Sequence, residues 1–141
     1  MKTLNFEFQL ETDLLKLFDF AVPNQYTWSM LPPKPKYPSL VVRCDRTEPE
    51  RGFGDAGVHS ADMLVHIQTY RADDKQGIEL QRLLNQARGV LLAPRLAERL
   101  NAVSGCTIFA AVNLEGYENP DSEIRSYTLQ LQVKFSPTKA D

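Results

Sequence analysis

The segment from Tyr127 to Phe135 alternates apolar and polar residues without a break, and it constrains the fold more than any other part of the chain. Alternation with a period of two is typical of a β-strand that buries one face and leaves the other polar and wet. The apolar face comprises Tyr127, Leu129, Leu131, Val133 and Phe135, and the polar face comprises Thr128, Gln130, Gln132 and Lys134. The chain is therefore expected to contain a sheet whose apolar side is covered by other elements.

Three further strands are predicted from short apolar runs. They cover Ser39–Arg46, Ala61–Tyr70 and Cys106–Leu114. The first segment is ambiguous, because residues 4–11 alternate like a strand while the leucines that follow have helical spacing. We favour a helix over Phe6–Asp19.

Helical spacing of apolar residues predicts two more helices. The first covers Ile78–Leu92, with Asp73 and Asp74 as candidate N-caps. The second begins near Pro94 and stops near Gly105. The order helix, strand, strand, helix, helix, strand, strand predicts an α+β fold, with an antiparallel sheet of about four strands and two or three helices packed on one face.

Two segments between these elements have unusual compositions. Val22–Pro38 contains five prolines, a density that excludes a helix or an inner strand and predicts an extended connector. Thr47–Ser60 is polar and contains three glycines, which predicts a flexible hairpin loop of the kind that often carries function.

Length and charge narrow the class of protein. With 141 residues, of which 43% are hydrophobic, the chain is expected to form one domain over residues 1–141. Sixteen Lys and Arg against 18 Asp and Glu give a net charge of -2, which offers no basis for specific nucleic-acid binding. No signal-peptide pattern and no run of about 20 apolar residues occurs, so we expect a protein made in the cytoplasm without a membrane anchor.

No group of residues has the spacing of a catalytic or metal-binding motif. Cys44, Cys106, His59 and His66 lack the close spacing of zinc ligands, and no cofactor-binding motif is present. The two cysteines are expected to be buried thiols, with a disulfide between them as the alternative. The sequence therefore predicts a protein that is not an enzyme, with no catalytic, cofactor-binding or metal-binding residues.

Two features suggest contacts with other molecules. The polar face of the last strand, with Ser126, Thr128, Gln130 and Gln132, is nearly uncharged and suits a subunit contact or the wall of a channel, with an ordinary solvated face as the alternative. The aromatic residues of the connector, Tyr26 and Trp28, either hold it against its own domain or reach a neighbouring subunit.

In its layout the chain resembles the tail-terminator and tail-completion proteins of long-tailed bacteriophages, over roughly residues 6–136. The likeness consists of the N-terminal helix, the entry Tyr37-Pro38-Ser39-Leu40-Val41-Val42 into the first strand, the long polar hairpin loop, the helix Ile78–Leu92, the second short helix and the closing hairpin that ends at Gln132-Val133-Lys134-Phe135. No individual residue role can be transferred, because the likeness rests on no motif.

The resemblance implies a virion protein of the tail or neck, assembled in the host cytoplasm. It would form a ring, commonly of six subunits, that caps the tail tube, ends tube polymerisation and joins the head–tail connector protein. DNA would pass through the ring without specific binding. In this interpretation the candidate contacts with subunits or partners are Tyr26, Trp28, Glu50, Arg51, Phe53, Asp55, Thr128, Gln130 and Gln132.

Two alternatives stay open. One is another neck or head-completion protein, which would differ in its partner and not in its chemistry. The other is a small ligand-binding domain or enzyme with a site near the 47–60 loop, where His59, His66 and Asp62 would have to converge on an apolar pocket.

Overall fold

A computed structural model describes residues 6–18, 24–49, 57–92, 95–119 and 123–137. The helices are α1 (Phe6–Leu15), α2 (Ile78–Leu92) and α3 (Leu96–Val103). The strands are β1 (Asn24–Thr27), β2 (Ser39–Pro49), β3 (His59–Tyr70), β4 (Thr107–Asn119) and β5 (Ile124–Ser136). A short 3-10 helix, Trp28–Met30, follows β1.

The strands form one five-stranded sheet in the order β1-β2-β3-β5-β4. The prediction of an α+β fold is confirmed, but the expected sheet of about four antiparallel strands is corrected. β1 adds a fifth strand, and it runs parallel to β2 while the other three pairings are antiparallel. β1 lies within the predicted connector, where an edge position leaves one side of the strand unpaired and so tolerates nearby prolines.

One face of the sheet packs against the three helices. The alternating residues of β2, β3 and β5 on this face join the buried residues of the helices in a single hydrophobic cluster. Phe135, Met63, Leu40 and Leu83 are among its most deeply buried members. The apolar half of the Tyr127–Phe135 pattern therefore lies in the core, as its period predicts.

The helix predictions differ from the structure only at their ends. α2 has the predicted bounds Ile78–Leu92. α1 ends at Leu15, four residues before the predicted end, and the chain continues to Phe18 through turns closed by hydrogen bonds between residues three apart. α3 begins at Leu96, so the expected role of Pro94 at its start falls outside the described residues.

The strands are longer than predicted. β2 reaches Pro49 and β3 begins at His59, so both ends of the predicted 47–60 loop belong to the sheet. β4 continues to Asn119, beyond the predicted end of the strand at Leu114. The pairing with β5 continues on both sides of a bulge between Leu114 and Tyr117, which accommodates one extra residue of β4 and contains Gly116.

Two buried carboxylates fasten α1 to the rest of the fold. Glu11 accepts the backbone N–H groups of Ser29 and Cys44, each at 2.9 Å. Asp13 accepts the Ser104 hydroxyl at 2.7 Å and the Gly105 N–H at 3.1 Å. Each carboxylate is itself buried, and these backbone and hydroxyl donors satisfy its oxygens.

Candidate functional site

The face of the sheet turned away from the helices consists of aligned rows of side chains. Directly paired residues share a face, so the registers place Val41, His66, Thr128 and Tyr117 in one row. The next row toward the other end of the sheet contains Arg43, Leu64, Gln130 and Leu114. The row after that contains Asp62, Gln132 and Val112. The connector partly covers the first row and also contacts Arg43 at one end of the second row, and it leaves the third row uncovered.

The connector folds onto its own domain through the described residues 24–38. Asn24 Nδ2 donates to the Pro38 carbonyl at 3.0 Å, and the Lys36 N–H donates to the Tyr26 hydroxyl at 3.2 Å. The Arg43 guanidinium lies over the Trp28 ring, 4.5 Å from its centroid, which holds the indole above β2 by a cation–π contact. Of the two alternatives left by the sequence, packing on its own domain describes this segment.

A cleft of about 420 Å³ lies between the connector and the covered row. Its outer wall is apolar and aromatic, and its floor carries polar side chains of the sheet. The lining residues include Trp28, Leu31, Pro35, Tyr37, Val41, Arg43, His66 and Gln68. We call this space the connector cleft.

A buried hydrogen-bond chain forms part of the floor of the connector cleft. Asn119 Nδ2 donates to Thr128 Oγ1 at 2.6 Å, and Thr128 Oγ1 lies 2.8 Å from His66 Nδ1. Burial and then the neighbouring Arg43 charge lower the pKa of His66, and the Asp45 carboxylate opposes them weakly. His66 is therefore neutral at pH 7.

The uncovered part of this sheet face combines apolar and amide side chains. We call it the open face and define it by Leu64, Val112, Leu114, Tyr117, Gln130 and Gln132. Val112, Leu114 and Tyr117 are each between 42% and 52% exposed. All three project from β4, whose outer edge pairs with no other strand in the described part of the chain. An apolar edge strand of 13 residues is a surface that folded proteins normally cover.

The predicted contact residues are distributed over these surfaces. Gln130 and Gln132 lie on the open face, and Trp28 lies half exposed beside the connector cleft. Tyr26 is half-buried on β1. Thr128 is fully buried beneath its own chain, so it supports the surface without being accessible to a partner. Glu50, Arg51, Phe53 and Asp55 lie outside the described residues.

Sequence reasoning missed the apolar residues of the open face. The predicted strand Cys106–Leu114 includes Val112 and Leu114 without assigning them a face, and it ends before Tyr117. The sequence feature that indicates them is the mostly apolar segment from Phe109 to Leu114, followed by another large apolar side chain, Tyr117, directly after Gly116. Only the register with β5 shows that these side chains share a face with Gln130 and Gln132.

The residues considered for chemistry do not converge. His66 lies in the connector cleft, whereas His59 stacks on Phe135 with ring centroids 5.6 Å apart and Asp62 lies near Leu64 and Leu114. Cys44 and Cys106 are free thiols, and burial followed by the Glu7 and Glu11 charges raises the pKa of Cys44 to about 12. No three His, Cys, Asp or Glu side chains among the described residues are grouped to hold a metal ion.

No protein-family model matches the chain, and no curated protein sequence is significantly similar to it. Within the described ranges, none of the helices is long and apolar enough to cross a membrane. The open face and the connector cleft are the two surfaces whose geometry bears on function.

Proposed function

We propose that this chain is a structural subunit of the neck of a long-tailed bacteriophage, a tail terminator. In the virion it would form a closed ring of six subunits that caps the tail tube, ends its polymerisation and joins the head–tail connector protein. The observation that carries the proposal is the open face, because it offers exposed apolar side chains beside an unpaired strand edge, with nothing in the described chain covering them. The layout of the chain, which resembles that protein class, supplies the identity of the assembly.

A closed ring requires two different patches on each subunit, since each subunit contacts one neighbour on either side. The sheet ends in two edge strands, β4 beside the open face and β1 beside the connector. The open face and the β4 edge are the first patch in our proposal. The exposed side of the connector, including Trp28, belongs to the second.

The composition of the open face suits a permanent contact better than a solvated surface. Leucine, valine and tyrosine side chains contribute burial energy, and the amides of Gln130 and Gln132 are able to pair across the interface. Nearby charges of both signs, Asp62 and Arg46, are already paired with each other at 3.8 Å. The contact would therefore depend weakly on salt.

The test is the oligomeric state of the purified protein, measured by native mass spectrometry and by negative-stain imaging of the same sample. Closed rings are the expected result. Mixing with assembled tail tube should place one ring at the end of each tube and stop further growth. A protein that stays monomeric at high concentration, and also with tail tube present, would contradict the proposal.

Another neck component is the nearest competitor, and the same experiment separates the two. Rings that bind the head–tail connector protein but leave tube growth unaffected would indicate a head-completion role. A small ligand-binding domain is the second candidate function, and the connector cleft is the specific observation that favours it.

A further inference from the structure

His66 has a buried ring nitrogen without a partner. Its Nε2 atom is shielded from water and makes no hydrogen bond with any described residue. Buried polar groups in folded proteins nearly always have a partner, so an unpartnered one calls for a physical explanation. His66 lines the connector cleft, where a bound ligand is able to supply the missing partner.

The hydrogen-bond chain identifies Nε2 as a donor. Thr128 is fully buried and Asn119 Nδ2 can only donate to its hydroxyl, so His66 Nδ1 is the one acceptor among its described partners for the Thr128 hydroxyl hydrogen. Nδ1 is then the acceptor, and the hydrogen of the neutral imidazole is on Nε2. The missing partner is accordingly a hydrogen-bond acceptor.

The surroundings of His66 define the kind of acceptor. Arg43 lines the same cleft and carries a positive charge, which its contact with Asp45 at 3.6 Å neutralises only in part. A guanidinium beside an N–H donor favours a carboxylate over a neutral carbonyl. The opposite wall, formed by Leu31 and Pro35 of the connector, suits a hydrocarbon group.

We propose that the connector cleft binds a small molecule with a carboxylate and an aliphatic body. One carboxylate oxygen accepts the Nε2–H of His66, and the Arg43 guanidinium balances the charge. Trp28 is 46% exposed and its ring centroid lies 6.4 Å from that of His66, so in this proposal the indole moves to admit the carboxylate to Nε2. All the residues that line this site belong to a single subunit.

The experiment uses the intrinsic fluorescence of the protein. Trp28 is the one tryptophan in the sequence, so its emission reports directly on the connector cleft. N-acetyl-L-leucine and its carboxamide, N-acetyl-L-leucinamide, are titrated up to about 10 mM, which reaches weak dissociation constants. We expect saturable binding of the carboxylate and binding about tenfold weaker for the amide, since the charged hydrogen bond is lost.

Variants on one strand provide the matched control. Arg43→Gln should weaken binding of N-acetyl-L-leucine about tenfold, whereas Arg46→Gln, an exposed arginine of β2 outside the cleft, should leave it unchanged. Equal effects of the two variants, equal binding of the two probes, or no response to either probe would each overturn the proposal.

A measurement on the unaltered protein tests the donor directly. Nitrogen-15 NMR of the two histidines should give His66 a hydrogen on Nε2, with a resonance that moves when N-acetyl-L-leucine is added, while His59 serves as the internal reference. A hydrogen on Nδ1 of His66, or shifts confined to His59, would remove the basis of the proposed site.

Discussion

Glu11 shows how one residue connects three parts of the fold. Its carboxylate is 1% exposed and lies between α1, the 3-10 helix and β2. Together with Asp13 it is one of two buried polar residues of α1, and its two oxygens each accept one backbone N–H. Hydrogen bonds to a charged acceptor contribute more than neutral ones, so this contact stabilises the entry of the connector into the fold.

Replacing Glu11 with glutamine should show how much the charged acceptor contributes to the stability of the fold. The amide keeps one acceptor and turns an NH₂ group toward a second N–H donor, so we expect the free energy of unfolding to fall by about 2 kcal/mol. Urea denaturation measures the change. Glu7→Gln, at an exposed position in the first turn of α1, is the control and should cost about 0.5 kcal/mol or less. A similar loss in the free energy of unfolding for Glu11→Gln and Glu7→Gln would contradict the stabilising role given to the Glu11 hydrogen bonds.

Asp74 caps α2 from outside the helix. It accepts the N–H groups of Glu79 at 3.1 Å and Leu80 at 3.0 Å, and the Thr69 hydroxyl at 2.9 Å. Burial raises its pKa, but these hydrogen bonds and the Arg125 charge outweigh burial, and the net pKa is lowered. A pKa lowered by folding stabilises the protein above the unfolded value, near pH 4, and this stabilisation is lost as the pH falls through the folded value.

Asp74→Asn should therefore destabilise the protein by about 1 kcal/mol at pH 7, the usual size of a lost cap. The difference from the unaltered protein should shrink when denaturation is repeated below about pH 4, because the carboxylate is then protonated. Asp73→Asn changes the exposed neighbour and should have little effect at either pH. A difference for Asp74→Asn that is independent of pH would argue against a charged cap.

At the scale of elements, the bulge in β4 controls which residues reach the open face. A Cβ atom at Gly116 would lie 2.6 Å from the Thr128 carbonyl oxygen and 2.6 Å from a ring carbon of Tyr127. Gly116→Ala should lower the free energy of unfolding by about 1–3 kcal/mol. Gly89→Ala, in α2 with open space around it, should raise it by about 0.5–1 kcal/mol. Thermal or urea denaturation that gives both changes the same sign would contradict this account.

The elements also show how far prediction from sequence extends. α2 was predicted to the residue, because its spacing and the acidic residue before it agree with its packing. β1 was missed because Asn24–Thr27 has no apolar alternation, and its pairing comes from β2. The open face was missed because the bulges near Ile108 and Leu114 set its register, and they depend on contacts with β5 that the sequence pattern does not contain.

At the scale of the whole molecule, the two faces of the sheet are covered to different extents. One is covered by three helices, while the connector covers only part of the other. The open face is half exposed in a single chain, so burying it in a ring would gain free energy without first disrupting the core. A mutation in the open face should therefore be able to disrupt the ring contact without changing the free energy of unfolding of the single chain.

Leu114→Lys tests that separation. Leu114 is 43% exposed at the centre of the open face, so lysine should fit the single chain and change its free energy of unfolding by only about 0.5 kcal/mol. In a ring it would bury a charge and remove a leucine contact worth about 1.5–3 kcal/mol, so native mass spectrometry should show monomers where the unaltered protein forms rings. Ile78→Lys, on α2 at the other side of the sheet and 67% exposed, should leave the rings intact. Rings that survive Leu114→Lys, or that dissociate equally with Ile78→Lys, would exclude the open face as the subunit contact. Such a result would indicate that the contact lies on the helical side of the sheet.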